Sequence, residues 1–222
     1  MIYVINMALL KLDRDGIDEA VDKAIAVLQS GGVIAYPTET FYGLGVRFDK
    51  HGSLKRLYDL KKRPQEKAMP LIIGDIGLLG MLVSPQWLGK IPASARLLMG
   101  KYWPGPLTLL MPAIEGLSEY VSAHTGKVAV RVPGRSFALD LARKARFAIT
   151  ATSANPSGMP PADDGDGVSA YFDGNLDLIV DGGKTPGGLP STIVDVSGGS
   201  AEIVREGVVS RDAIEKFLAQ SR

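Results

Sequence analysis

The sequence predicts an α+β fold: a twisted, mostly antiparallel mixed sheet with helices packed around it and loops lining a concave cavity. Three observations lead there. Short apolar runs outnumber the stretches with helical periodicity. Several of these runs, such as 192–196 and 201–205, are joined by tight Gly-rich turns that favour antiparallel pairing. Gly (26) and Pro (14) together make about 18% of the chain, against roughly 12% in average usage. They fall between apolar runs rather than in a low-complexity linker, the pattern of a site built from loops on one scaffold.

Taken in order, Ile17, Val21, Ala24 and Leu28 recur at helical spacing, with Asp15 as a candidate cap and Gly31-Gly32 as a stop. Val33-Ile34-Ala35-Tyr36 reads as a buried strand ending at Pro37, and 43–48 as a second strand after a turn. Over 52–62, Leu54, Leu57 and Tyr58 share one side of a helix and Lys55, Arg56 and Lys62 the other. Such a helix delivers Lys61 and Arg63 to its C-terminal end, where Pro64 stops it. A strand is expected at 70–73, helical segments near 75–83 and 92–101, and strands at 107–111, 128–132, 147–150, 176–180, 192–196 and 201–205, with a closing helix over 211–220. No break in composition divides the chain, so 1–222 is expected to be one domain.

Composition narrows the chemistry. A chain of 222 residues that is 45% hydrophobic can bury a substantial core. No apolar run approaches the ~18 residues of a membrane span, and Met1–Asn6 lacks the basic start and long apolar stretch of an export signal. A soluble, cytoplasmic protein without a membrane partner is expected. The absence of cysteine excludes disulfides, thiol nucleophiles and sulfur-ligated metals, and His51 and His124 alone cannot make a histidine-rich metal site. Any metal is therefore expected to arrive on a phosphate ligand. A formal net charge of +1 gives no global attraction for nucleic acid, so an RNA contact requires a local patch.

Familiar nucleotide signatures are incomplete. Gly183-Lys184-Thr185 ends like a P-loop, but Leu178 stands where its first glycine belongs; Gly43-Leu44-Gly45 meets Phe48 where a dinucleotide fingerprint needs its third glycine. The candidates lie elsewhere. Lys61, Arg63 and Lys67 form a cationic cluster that could be a solvated face, yet Pro64 fixes the chain just after Arg63, and a guanidinium there can grip phosphate oxygens bidentately. Ser153 and Asn155 could be simple turn formers, yet the small, apolar 148–153 approach lets a ligand come close to the backbone. Ser153 is a poor hydrolytic nucleophile, because Gly-x-Ser-x-Gly is absent. Thr38 and Tyr42 stand at a strand end, and Glu39 needs either an ammonium ligand or an ion pair. Arg131 and Arg205 each interrupt an apolar strand, which implies anion contacts at a shared mouth or internal ion pairs.

Pro37-Thr38-Glu39-Thr40-Phe41-Tyr42-Gly43-Leu44-Gly45, Lys61-x-Arg63-Pro64, Lys67, Trp103-Pro104-Gly105-Pro106-Leu107-Thr108, Val130-Arg131-Val132-Pro133, Ser153-x-Asn155, Ser191-Thr192-Ile193-Val194-Asp195 and Arg205-Glu206-Gly207 occur in that order. Over about 16–210 the sequence resembles the YrdC-like threonylcarbamoyl-AMP synthase family, in its short, single-domain branch. The resemblance implies a YrdC-like fold. It also implies a nucleotidyltransferase that converts ATP, L-threonine and bicarbonate or carbon dioxide into threonylcarbamoyl-AMP and pyrophosphate, for tRNA threonylcarbamoyladenosine modification. Magnesium is implied on the ATP phosphates, with no protein metal ligand and no covalent nucleophile.

By the same resemblance, Lys61, Arg63, Ser153, Asn155 and Arg205 hold the nucleotide. Thr38, Tyr42, Lys67, Arg131 and Ser191 surround threonine or its carbamate, and Thr108, assigned to ATP, is placed to contact either. A downstream threonylcarbamoyl transferase complex is the implied recipient, with tRNA or double-stranded RNA as a candidate partner. Two departures stand out: Ala68 replaces a proline common after the lysine, and the chain ends near 222 without the second domain of longer relatives. The lack of cysteine excludes the zinc modules of hydrogenase-maturation fusions. Two other functions compete: a non-catalytic RNA-binding module using Lys55, Arg56, Lys62 and Arg63, and carbamoyl transfer to an amine other than threonine.

Overall fold

Val33-Ile34-Ala35-Tyr36 contains no charged residue, and the folded chain buries all four, as expected of a strand covered on both faces. The computed structural model describes residues 8–12, 16–172 and 174–221. Its strands are β1 (Ala8–Lys11), β2 (Ile34–Pro37), β3 (Tyr42–Gly45), β4 (Leu71–Ile72), β5 (Leu107–Pro112), β6 (Lys127–Arg131), β7 (Ile149–Thr150), β8 (Thr152–Ser153), β9 (Leu178–Asp181), β10 (Thr192–Asp195) and β11 (Glu202–Arg205). Its helices are α1 (Ile17–Ser30), α2 (His51–Lys61), α3 (Pro85–Leu88), α4 (Ala93–Tyr102), α5 (Glu119–Ser122), α6 (Phe137–Ala145), α7 (Gly165–Phe172) and α8 (Arg211–Gln220). No described helix is long and apolar enough to cross a membrane.

The architecture is mixed, as expected, but the described strands divide between two sheets. One runs β1-β9-β2-β3-β8, the other β11-β10-β5-β6-β4-β7. Five of the nine pairings are antiparallel. The hairpins match the sequence reading: β2 lies antiparallel to β3, and β10 to β11 across the Gly-rich turn. The crossovers are parallel, with Thr192 of β10 opposite Leu107 of β5. An apolar run carries no mark of which sheet it joins, because that choice depends on partners distant in sequence.

Alternation along the strands builds the layers. Ile34 and Tyr36 of β2 and Leu178 and Val180 of β9 pack with Ala20, Val21, Ala24 and Leu28 of α1 and with Phe137 and Leu141 of α6. The intervening Ala35 and Ile179 turn to the larger core, which joins Leu44, Leu54, Leu57, Leu71, Leu107 and Val130. Each fully buried Leu or Val contributes roughly 1.5–3 kcal/mol.

Helix ends follow the expected stops. Gly31 (φ 92) closes α1, with Gly32 N–H donating to Val27 O at 2.8 Å. The expected Asp15 cap lies outside the described residues. At the end of α2, Lys62 adopts φ 48 and Arg63 N–H donates to Tyr58 O at 3.0 Å. The backbone thus turns sharply before Pro64 and sends Lys61 and Arg63 in different directions.

Some elements differ from expectation. The 75–83 segment is a 3-10 helix over Ile76–Met81, started by Asp75, whose side chain accepts from Gly77 N–H. The 43–48, 70–73, 147–150 and 176–180 strands are shorter or shifted. β1, β8, α3, α5, α6 and α7 were not expected. The buried Phe137, Ala138, Leu141, Ala142 and Ala145 of α6 recur at helical spacing, so this helix was open to a sequence reading that passed it over. α7 begins at Gly165, which reads as a breaker; a Cβ there would lie 2.7 Å from Asp181 Cγ, so glycine permits the helix to approach the end of β9.

Candidate functional site

A cavity of about 160 Å³ opens where the β2–β3 turn, β8 and the ends of β5, β6, β10 and β11 converge. Eight residues singled out in the sequence line it: Thr38, Tyr42, Arg63, Thr108, Arg131, Ser153, Ser191 and Arg205.

The turn is held by its own side chains. Thr38 Oγ1 donates to Phe41 O at 2.7 Å and accepts from Thr40 N–H at 3.1 Å, a local arrangement that threonine favours over continued strand. Tyr42 is fully buried. Its hydroxyl donates to Gly183 O at 2.8 Å and accepts from Gly182 N–H at 2.9 Å, tying β3 to the 182–190 loop. Burial pushes the Tyr42 phenol well above its ordinary range, so it acts as a neutral hydrogen-bonding group.

Three guanidiniums from distant parts of the chain meet at the cavity. Arg63 is fixed by donating from Nε to Lys67 O at 3.0 Å and from Nη2 to Ala68 O at 2.7 Å. The chain at Ala68 is therefore fastened by Arg63. Arg131, almost wholly buried, pairs through Nη1 with Glu39 Oε1. The internal ion pair expected of this arginine is present, and the residue also lines the cavity. Arg205 donates to Ser191 O at 2.7 Å. Loss of surrounding water lowers the proton affinity of Arg63 and Arg205, and for Arg205 the nearby Arg131 and Arg63 lower it further. That mutual repulsion is relieved by an anion placed among them.

Between the arginines, Thr108 Oγ1 and Ser191 Oγ are 2.9 Å apart. Thr108 lies on β5 and Ser191 immediately precedes the parallel β10, whose Ile193 stands opposite Thr108. The hydroxyls offer one donor and several lone pairs to a polar ligand.

Three candidates are not on the cavity wall. Lys61, 1% exposed, donates from Nζ to Asn155 O at 2.7 Å and also to Ser153 O. It therefore braces the main chain behind Ser153. Burial, and secondarily Arg63, lower its pKa to about 7. Asn155 Nδ2 donates to Pro156 O at 2.9 Å and Met159 O at 2.6 Å, holding its own loop. Lys67 is exposed; its carbonyl, through the bonds from Arg63 and Tyr58, is what joins the turn.

Sequence reasoning missed Pro190 and Ile193 on the wall. Ile193 is on the same side of β10 as Ser191, while Thr192 between them points away, its Oγ1 donating to Val209 O at 2.6 Å. Strand alternation from Ser191 was the available signal. Two of the four proposed RNA-facing cations are ion-paired: Lys55 with Asp59 at 2.7 Å and Arg56 with Asp177 at 2.6 Å.

The Sua5/YciO/YrdC family model, described as telomere recombination, matches residues 26–207. The chain is 36% identical over 202 residues to the threonylcarbamoyl-AMP synthase of Bacillus subtilis (strain 168), covering 90% of this chain and 57% of that protein. It is 33% identical over 210 residues to the threonylcarbamoyl-AMP synthase of Pyrococcus abyssi (strain GE5 / Orsay), covering 94% and 60%. The crystal structure of P. abyssi Sua5 complexed with L-threonine superposes with a TM-score of 0.86 at 31% identity, covering 96% of this chain and 60% of that one. The chain thus spans about three fifths of these relatives' length. Its motifs, the two-sheet fold around the cavity and the match over 26–207 together place it in the Sua5/YciO/YrdC family.

Proposed function

We propose that this chain is a threonylcarbamoyl-AMP synthase, a nucleotidyltransferase acting on ATP, L-threonine and bicarbonate or carbon dioxide. The observation that carries the reading is the meeting of Arg63, Arg131 and Arg205 around one cavity that also holds the Thr108–Ser191 hydroxyl pair. Relatives named for this activity and a neighbour crystallised with L-threonine support it.

The amine of threonine combines with bicarbonate, releasing water, to give a carbamate. A carbamate oxygen then attacks the α-phosphorus of ATP while the bond to the β-phosphate bridging oxygen breaks, and pyrophosphate leaves with that electron pair. Such a transfer needs alignment and cations around developing charge rather than a protein nucleophile. Arg63 and Arg205 fit the phosphates; Arg131, Thr38 and the Thr108–Ser191 pair fit the threonine carboxylate, hydroxyl or carbamate. The enclosed volume is below the ~300–1,000 Å³ of drug-sized ligands, so it suits the amino acid and reacting phosphoryl group, with the nucleoside extending past the rim. Magnesium arrives on the ATP phosphates. Among the described residues no three His, Asp or Glu gather to hold a metal, and Glu39 pairs with Arg131 through Oε1.

Pyrophosphate release by the purified chain tests the reading, measured with ATP and magnesium, with and without L-threonine and bicarbonate. Release that requires both supports it, and Arg63→Ala is expected to abolish that release in a folded protein. Release without threonine indicates another acceptor, and no release from folded protein rejects a synthase activity.

A further inference from the structure

Lys61 is among the largest fully buried side chains of the described protein. Its Nζ has two protein acceptors, the carbonyls of Ser153 and Asn155. A neutral amine has two N–H groups and satisfies both; an ammonium has a third, which those two acceptors leave over. Residues 152–158, the segment that carries both acceptors, are Thr-Ser-Ala-Asn-Pro-Ser-Gly, without an ionisable side chain. On the adjoining β3, Tyr42 turns its hydroxyl to Gly183 and Asp181. Tyr58, one turn earlier on α2, donates to Lys67 O and Tyr120 O. The charged group acting on Lys61 is the cation Arg63. The site thus carries the framework of a cation with no counter-charge, immediately behind a residue that lines the anion cavity.

We propose that Lys61 is a positioning residue that braces the Ser153–Asn155 main chain and takes up a proton from solvent when a polyphosphate enters the cavity. The proposal rests on the ATP reading above. Without ligand, the buried amine holds the two carbonyls and is half-protonated near neutral pH, in keeping with its lowered proton affinity. An incoming phosphate supplies the missing negative charge and favours the ammonium. The proton is added to the nitrogen lone pair, and no covalent bond to the ligand forms. Nucleotide affinity should then fall as pH rises above about 7, by up to about tenfold per unit, until the raised value of the complex is reached.

The test is calorimetric titration of the whole chain with MgATP at pH 8, in two buffers of different ionisation enthalpy, for wild type and Lys61→Arg. The nucleotide's own proton exchange is common to both proteins. The expected result is uptake of close to one proton more per bound nucleotide by wild type than by the arginine variant, whose side chain is always charged. The difference should shrink severalfold at pH 6. Equal uptake by two binding-competent proteins overturns the proposal and leaves the ATP reading standing. Absence of nucleotide binding by folded wild type overturns both. If the variant fails to fold or bind, the Lys61 ε-carbon NMR signal in wild type decides. Titration near pH 7 in the free protein, moved above pH 9 by MgATP, supports the proposal; an unmoved midpoint overturns it.

Discussion

Lys61 and Glu39 show how one side chain's surroundings set its energetic role. The Lys61 pKa of about 7 in the folded chain compares with roughly 10.4 unfolded. Between those values the unfolded chain binds a proton that the folded chain does not, so this group makes stability rise with pH across that window, by up to about 1.4 kcal/mol per unit. Urea unfolding at pH 7, 8 and 9 is expected to show that rise in wild type and to lose it in Lys61→Met; parallel curves would reject it. Glu39 neutralises the buried end of Arg131. Glu39→Gln is expected to destabilise by roughly 3 kcal/mol, because it leaves an uncompensated cation. Adding Arg131→Met should recover most of the loss in the same measurement. The residue types at these positions were legible in the sequence. The direction of Lys61 Nζ was not, because it depends on the carbonyls of Ser153 and Asn155, which are distant in sequence.

At the scale of elements, β10 and the segment after β11 form one fastened unit. Thr192 Oγ1 accepts from Gly207 N–H at 2.9 Å and Val209 N–H at 3.1 Å while donating to Val209 O. Thr192→Val leaves buried N–H groups without partners and is expected to cost about 1–3 kcal/mol in thermal or denaturant unfolding. A Cβ at Gly207 would lie 2.1 Å from Pro190 O. Gly207→Ala must therefore push the Pro190–Ser191 wall and, through Ser191, Arg205. An increase in the KM for threonine or ATP of at least about tenfold, with the fold retained by circular dichroism, is expected; unchanged kinetics would show that the wall yields without loss. The hairpin of β10 and β11 was readable from its Gly-rich turn, whereas the parallel neighbour β5 was not, since nothing local encodes a crossover.

For the whole molecule, charge and surface bear on the RNA alternative. The formal net charge is +1, and two of the four cations proposed for that surface are paired with Asp59 and Asp177, while Arg63 is fixed at the cavity. Titration of a short RNA duplex at 50 and 200 mM salt is expected to give no saturable binding at micromolar protein; tight, steeply salt-dependent binding would restore that alternative.

By itself the sequence determined the amphipathic helices, the doubly buried β2, the hairpins, the absence of thiol chemistry and the motifs that predicted an anion site. These are encoded locally, in residue type and in periods of 3.6 or 2. Tertiary structure decided that the strands form two sheets, that Arg63, Arg131 and Arg205 share one cavity, and that Lys61 stands behind its wall. Those outcomes depend on strand partners far apart in the chain and on the burial they impose, and burial, rather than residue type, sets whether a lysine faces a ligand or the main chain.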